Sequence, residues 1–306
     1  MSDLKLFRIN GTKAVEVQGT GLALEKSLQT LIEQNLSTFL GVTFLASEFP
    51  TGPEHGGRLD TLGLDENKCP VIIEYKRSTN MNVINQGLFY LDWLVTHRGD
   101  FEMLVLKTLG VEAAQAVEWS SPRLICIAGD FSKFDAHAIK QMNRNIDLIR
   151  YVKFGEDHVL LEQINVAVAP ATGVAGPTPP KTPAGKPKYT TVTEHLEKAD
   201  AALTDLYEAV RDHLLGLGDD VQHKVLQFYF AFKRIKNFCC VEIKNTERKV
   251  VLYLKVDPDT VDLVAGFTRD VRKIGHFGTG DLEVTIRSMA DLEKAKPLME
   301  RSYDDA

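Results

Sequence analysis

Six prolines, Pro170, Pro177, Pro179, Pro180, Pro183 and Pro187, fall within the 18 residues from Pro170 to Pro187. The residues between them are mostly Ala, Gly, Thr and Lys, so the stretch has little apolar surface to bury and reads as an extended linker. A single core cannot run through it. The 306 residues therefore divide into a domain over 1–165, a linker over 166–187 and a second domain over 188–306. Each domain is long enough to bury a core of its own.

Hydrophobic residues make up 44% and charged residues 25% of the chain, which fits globular domains and excludes wholesale disorder. No stretch of about 18 apolar residues offers a membrane span. The first twenty residues lack the basic start and apolar run of a secretory leader, so the expected location is the cytoplasm. Cys69, Cys126, Cys239 and Cys240 show no C-x-x-C spacing, and adjacent cysteines rarely bridge. Reduced thiols are expected, with neither a disulfide framework nor a zinc site. The net charge of −6, from 36 basic and 42 acidic residues, argues against a surface coated with positive charge for nucleic acid.

Hydrophobic spacing predicts an amphipathic helix over Leu22–Leu40, stopped by Gly41. A polar, Gly-rich stretch from Thr51 to Gly57 leads into a β-hairpin, RLDTLGL and VIIEYKR around DENK. Helical spacing returns over Asn80–Val95. Beyond it come a strand at Arg123–Ala128, a helix near Ala136–Asn145, and strands around Ile149–Phe154 and Val159–Ile164. This pattern predicts an α/β domain with a mixed sheet flanked by helices. In the second half, Val192–Leu215 and Val221–Lys236 read as helices, followed by a hairpin around Thr246-Glu247-Arg248, a short helix, the Gly-rich HFGTG, the strand LEVTI and a closing helix. That half is expected to be a smaller α+β domain.

On the strand Val71–Arg77 alternate side chains share a face, which puts Glu74 and Lys76 together. A hairpin centred on Asn67 sets position 60 opposite position 74, so Asp60 stands beside Glu74. Directly opposed carboxylates repel, and sheet stability alone would not select them. A divalent cation reverses the sign. Mg²⁺ takes hard oxygen ligands, commonly one or two carboxylates with waters and a substrate phosphate, and it acidifies bound water and stabilises charge on a phosphoryl oxygen. Lys76 is placed to orient that water or to neutralise the phosphorane.

Asp60, Glu74-Tyr75-Lys76 and, ten residues on, Gln86 in a helix resemble the PD-(D/E)xK nuclease superfamily. The segment GRLDTLGLDENKCPVIIEYKR resembles its NucS-like and RecB-like branch, which includes mismatch endonucleases, and INQGLFYLDWL resembles the branch's glutamine-bearing helix. The resemblance covers about residues 20–165. It implies a restriction-endonuclease-like fold and hydrolysis of phosphodiester bonds in nucleic acid, with DNA favoured, in repair or defence. It also implies metal binding by Asp60 and Glu74, catalysis by Lys76, and positioning of water or ligand by Gln86. An acid from the preceding helix completes the family's site. Glu25 is favoured because it stands ten residues before Asn35, as the acid does before the helix-ending Asn in the NucS-like pattern, while Glu33 and Glu48 stay open. Leu59 replaces the proline of the family's name, as it often does in this branch. The implied cofactor is Mg²⁺, with Mn²⁺ as an alternative, and the implied partner is nucleic acid. A homodimer is compatible with this, and a membrane is not involved. The competing reading is a non-catalytic nucleic-acid-binding or regulatory protein that keeps the nuclease fold.

Arg58 and Arg77 flank the proposed ligands and are candidates for phosphate contacts. His55, in GPEHGGR, is a poor Mg²⁺ ligand. In QFYFAFKRIKNF, aromatics alternate with Lys233, Arg234 and Lys236, a combination that suits base stacking with phosphate contacts. The commoner reading is an aromatic core with the cations on a solvated helix face. RDVRKIGHFGTGD adds cations beside a Gly-rich turn that could hold an anion. This half resembles a domain of unknown function that often follows nuclease-like domains.

Overall fold

The computed structural model describes residues 4–21, 25–76, 82–142, 144–167 and 190–306. Arg77, residues 22–24 of the helix expected over Leu22–Leu40, residues 80–81 of the one expected over Asn80–Val95, and the expected linker from residue 168 onward lie outside them. The chain forms two compact units, Met1–Ala169 and Pro170–Ala306.

The first unit begins with the hairpin β1 (Leu6–Asn10) and β2 (Lys13–Val17), then β3 (Gly19–Thr20), α1 (Glu25–Gln34), α2 (Leu36–Leu40), β4 (Val42–Pro50) and the single turn α3 (Gly52–His55). It continues through β5 (Arg58–Asp65), β6 (Pro70–Lys76), α4 (Asn82–Thr96), α5 (Arg98–Leu109), α6 (Val111–Gln115) and β7 (Arg123–Ala128). The last elements are α7 (Lys133–Lys140), β8 (Asn145–Phe154) and β9 (His158–Ala167). Sheet order is β3-β8-β7-β6-β5-β4, with β9 also paired to β8. The β4–β5–β6 meander and β9 are antiparallel, whereas β6, β7 and β8 run parallel. This is the expected mixed sheet flanked by helices. On one face Leu62, Leu64, Ile72, Leu124 and Cys126 pack with Val83, Leu91 and Leu94 of α4 and Phe101 of α5. Gly87 lets α4 approach closely, since a Cβ there would fall 2.6 Å from Leu124. On the other face α1 lies against β5, where Thr61 donates a 2.6 Å hydrogen bond to Glu33 Oε1.

The helix predicted over Leu22–Leu40 is two helices. Asn35 breaks it because its side-chain amide donates to the Leu31 carbonyl at 3.0 Å, competing with the helical backbone. Gly41 ends α2 in the left-handed region at φ 64°, as read from the sequence. The strand Arg123–Ala128 is where it was expected. The helix predicted over Ala136–Asn145 starts earlier, because Ser132 and Asp135 form a reciprocal capping box at its N-terminus, and Asn145 already belongs to β8.

The second unit contains α8 (Val192–Glu197), α9 (Ala201–Leu215), β10 (Gln222–Val225), β11 (Phe230–Lys233), β12 (Asn237–Lys244), β13 (Lys249–Leu254), β14 (Thr268–Asp270), β15 (Leu282–Ile286) and α10 (Met289–Asp304). Its antiparallel sheet runs β10-β11-β12-β13-β15-β14. Leu206 and Val210 of α9 and Leu292 and Met299 of α10 bury themselves against one sheet face. Two helix predictions are corrected here. Asp200 caps α9 through Leu203 N–H at 3.0 Å, so 192–215 is split. Residues 221–236 are a β-hairpin, because Phe230 and Phe232, two apart, face the core together. The hairpin around Thr246-Glu247-Arg248 is present, with Lys244 paired to Lys249.

Candidate active site

The pairing of Thr61 with Ile73, extended by one residue, sets Asp60 opposite Glu74. The ladder ends there, and side chains take over. Asp60 N–H donates to Glu74 Oε1 at 3.2 Å, and Tyr75 N–H donates to Asp60 Oδ2 at 3.1 Å. Each carboxylate thus holds the other's strand. Ile72 packs in the cluster beneath α4, so alternation sends Glu74 to that same face, where it is 0% exposed. Its second oxygen, Oε2, is buried with no hydrogen-bond partner among the described residues. Burial, reinforced by the Asp60 carboxylate, pushes the Glu74 carboxyl up to about 9. Burial also lifts Asp60 above the usual carboxylate range, although the Tyr75 amide and the Lys76 charge oppose it.

Lys76, at the end of β6, donates to Glu25 Oε1 at 3.0 Å. Glu25 is the first residue of α1, so the helix start delivers an acid to the strand end that carries the lysine. Glu33 is elsewhere, bonded to Thr61 and Gln29 on the α1 face. Glu48 has a left-handed backbone, φ 53°, uncommon for a non-glycine residue. It meets Lys26 at 3.1 Å and Arg58 at 3.3 Å. The hydrogen bond from Lys26, aided by its charge and that of Arg58, holds Glu48 below the usual range. Among the described residues no three His, Cys, Asp or Glu side chains gather into a metal-holding group. The carboxylates brought together are Asp60 and Glu74, with Glu25 joined through Lys76.

Gln86 lies half-buried on α4, one turn after Val83 and one before Tyr90. The Val83 carbonyl faces Cys126 Sγ at 4.0 Å, and Cys126 is the β7 partner of Glu74, so α4 crosses the Glu74 row. Arg58 N–H donates to Tyr90 OH at 3.2 Å. His55 turns to α4, 3.6 Å from Asp92 and with its ring 5.0 Å from that of Phe89, tilted by 49°.

Sequence reasoning missed Gln29. Its amide is 4% exposed and donates to the Asp60 carbonyl at 2.9 Å, Ser47 Oγ at 3.1 Å and Glu33 at 3.0 Å, tying α1 to β4 and β5. A glutamine inside the apolar stripe Leu28–Ile32 was the available signal.

In the second unit the basic residues of QFYFAFKRIKNF are not a solvated helix face. Lys233 is on a strand and 2% exposed, which leaves it no surface for a phosphate. Arg234 is held by Asp220 at 2.6 Å and lies over the Tyr303 ring at 4.6 Å, while Lys236 is half-buried. In RDVRKIGHFGTGD, Arg272 is bound by Asp259 at 2.9 Å and Asp270 at 2.8 Å, and Arg269 by Glu283 at 2.5 Å. Carboxylates already neutralise that region.

A family profile described as a domain of unknown function, DUF5655, matches residues 192–306. A relative from Haemophilus influenzae, described as an uncharacterized protein, is 27% identical over 307 residues, covering 99% of this chain and 100% of its own. Two solved structures are similar over 43% of this chain. One is a repair endonuclease from Pyrococcus abyssi, 17% identical with a TM-score of 0.29 over 48% of that chain. The other is an EndoMS–dsDNA complex, 18% identical with a TM-score of 0.29 over 47% of that chain. The chain spans just under half the length of these two structures.

Proposed function

We propose that the protein is a divalent-metal-dependent nuclease that hydrolyses phosphodiester bonds in nucleic acid, with DNA the favoured substrate. One observation carries this reading: the half-buried Asp60 and the buried Glu74 face each other across the strand end that bears Lys76, and one Glu74 oxygen has no hydrogen-bond partner among the described residues. Opposed buried carboxylates cost stability unless a proton or a cation separates them. An all-oxygen pair beside the surface suits Mg²⁺ or Mn²⁺, not a soft metal. Asp60 and Glu74 are the residues that would hold it, and the bound cation would supply charge to a phosphoryl oxygen and acidify a water.

The chain's own residues divide the remaining work. Lys76, with 22% of its side chain exposed and steadied by Glu25, presents an ammonium to charge developing on the phosphoryl group. Gln29 fixes the backbone of Asp60 from beneath. Gln86 lies on the helix that crosses the Glu74 row. A second, non-catalytic reading draws on the Lys76–Glu25 pair, which already satisfies the lysine.

Incubation with single-stranded, duplex and branched DNA and with RNA, in Mg²⁺ or Mn²⁺, separates the two. Cleavage is expected, reduced about 10²-fold or more in Asp60→Ala and in Lys76→Ala. Cleavage that survives both substitutions contradicts this mechanism, and no cleavage of any substrate by the wild type favours the non-catalytic reading.

A further inference from the structure

Beyond the pair Thr61–Ile73 the β5–β6 ladder stops, and the carboxylates of Asp60 and Glu74 stand in for it by holding backbone amides. Carboxylates make a poor fastening by themselves. Set opposite each other they push the strand ends apart, and they are the same side chains assigned above to a cation. A second fastening is needed to keep the two strand ends at a fixed separation.

The far side of the sheet supplies it. Thr61 follows Asp60 and Tyr75 follows Glu74, so alternation sends both to the face covered by α1. Both are 0% exposed. Thr61 has one hydroxyl hydrogen, which it donates to Glu33 Oε1 at 2.6 Å, so in the 3.2 Å contact between the two hydroxyls Tyr75 is the donor. Glu33 Oε1 also accepts from the Gln29 amide at 3.0 Å, and that amide reaches the Asp60 carbonyl at 2.9 Å. A chain of hydrogen bonds therefore runs from the residue after Glu74, through Thr61, Glu33 and Gln29, back to the backbone of Asp60. Its two acidic and amide members stand on α1, which is itself anchored by the fully buried Leu28 and Ile32.

We propose that Tyr75, Thr61 and Glu33 are positioning residues, which set the separation of Asp60 and Glu74 from the opposite face of the sheet, so that the pair meets a cation with its spacing already fixed. The proposal rests on the nuclease reading for the cation. It gives Glu33 a role distinct from that of an acid at the site, because Glu33 acts through Thr61. Removing a group that orients the ligands of a metal changes affinity by about 10- to 100-fold.

Full-length Thr61→Val, which keeps the shape of threonine without the hydroxyl, Tyr75→Phe and Thr61→Ser are compared with the wild type in two ways. Calorimetry reads Mn²⁺ binding, and hydrogen exchange without any cation reads the Tyr75 amide, which donates to Asp60. Thr61→Val and Tyr75→Phe are expected to weaken Mn²⁺ binding about tenfold or more and to speed exchange by a similar factor. Thr61→Ser, which keeps the hydroxyl, is expected to restore both. Ile32→Val thins the α1 packing without touching the hydrogen-bond chain, and is expected to lower the urea midpoint while changing neither readout. Unchanged Mn²⁺ affinity in Thr61→Val and Tyr75→Phe, or an equal loss in Ile32→Val, overturns the proposal. Faster exchange in those two variants, with no Mn²⁺ binding by the wild type, supports the chain as the fastening of the strand ends and overturns the nuclease reading on which the cation rests.

Discussion

On the proposed reading, Glu74 exchanges a proton in the resting protein for a cation in use. Its carboxyl is raised from 4.5 to about 9, burial first and Asp60 second. Between those values the folded chain keeps a proton that the unfolded chain has released, so stability falls as pH rises through that window. Asp60, also raised, acts in the same direction. Glu74→Gln keeps an acceptor for the Asp60 amide but does not titrate. In chelator, the melting temperature of the wild type is expected to fall between about pH 6 and pH 9 more steeply than that of Glu74→Gln; parallel profiles would contradict the assignment, as measured by thermal unfolding. The Asp60–Glu74 pair was legible in the sequence because strand alternation and a hairpin symmetric about Asn67 are local rules, and both hold. Among the three acids, Glu25 was favoured only through the family resemblance, and local rules left Glu33 and Glu48 open. The choice depends on where α1 starts relative to β6 and on a left-handed residue within β4, and neither is local.

At the scale of elements, the site stands on the β4–β5–β6 meander, and its spacing depends on close packing at Gly63. A Cβ there would lie 2.3 Å from Val42 Cγ1 and 2.9 Å from the Thr43 carbonyl. Gly63→Ala is therefore expected to cost about 1–3 kcal/mol by overpacking, read from denaturant unfolding; a shift below a few tenths would show that β4 yields freely. Elements with strong local signals were readable: β7, the two hairpins and the Gly41 stop. Residues 221–236 were misread because their aromatics satisfy helical spacing and strand alternation equally well over a short window. What decided the matter was pairing with β12, a segment downstream in sequence. The breaks at Asn35 and Asp200 are side-chain capping decisions, which interrupt a helical pattern without disturbing its apolar period.

Over the whole molecule, the charge of −6 limits how nucleic acid can be held. Buried carboxylates count as negative only while nothing neutralises them. Among the described residues the cations near the site are few, chiefly Lys26, Arg58 and Lys76, and these are already paired with Glu48 and Glu25. A footprint of two or three phosphates gives a shallow salt dependence, a log–log slope of about −2 to −3 on duplex DNA; a slope steeper than about −5 would reveal a basic surface elsewhere. On the proposed reading, weak direct attraction would make the cation and the nucleic acid partners in binding, a linkage that is reciprocal. Calorimetric titration of the intact chain with Mn²⁺, alone and with a non-cleaved oligonucleotide, reads it directly. Binding by the wild type is expected, accompanied by proton release near neutral pH, tightened by the oligonucleotide and lost in Asp60→Asn. No Mn²⁺ binding under either condition, or binding unchanged in Asp60→Asn, would contradict the assignment of Asp60 and Glu74 as the cation site of a nuclease.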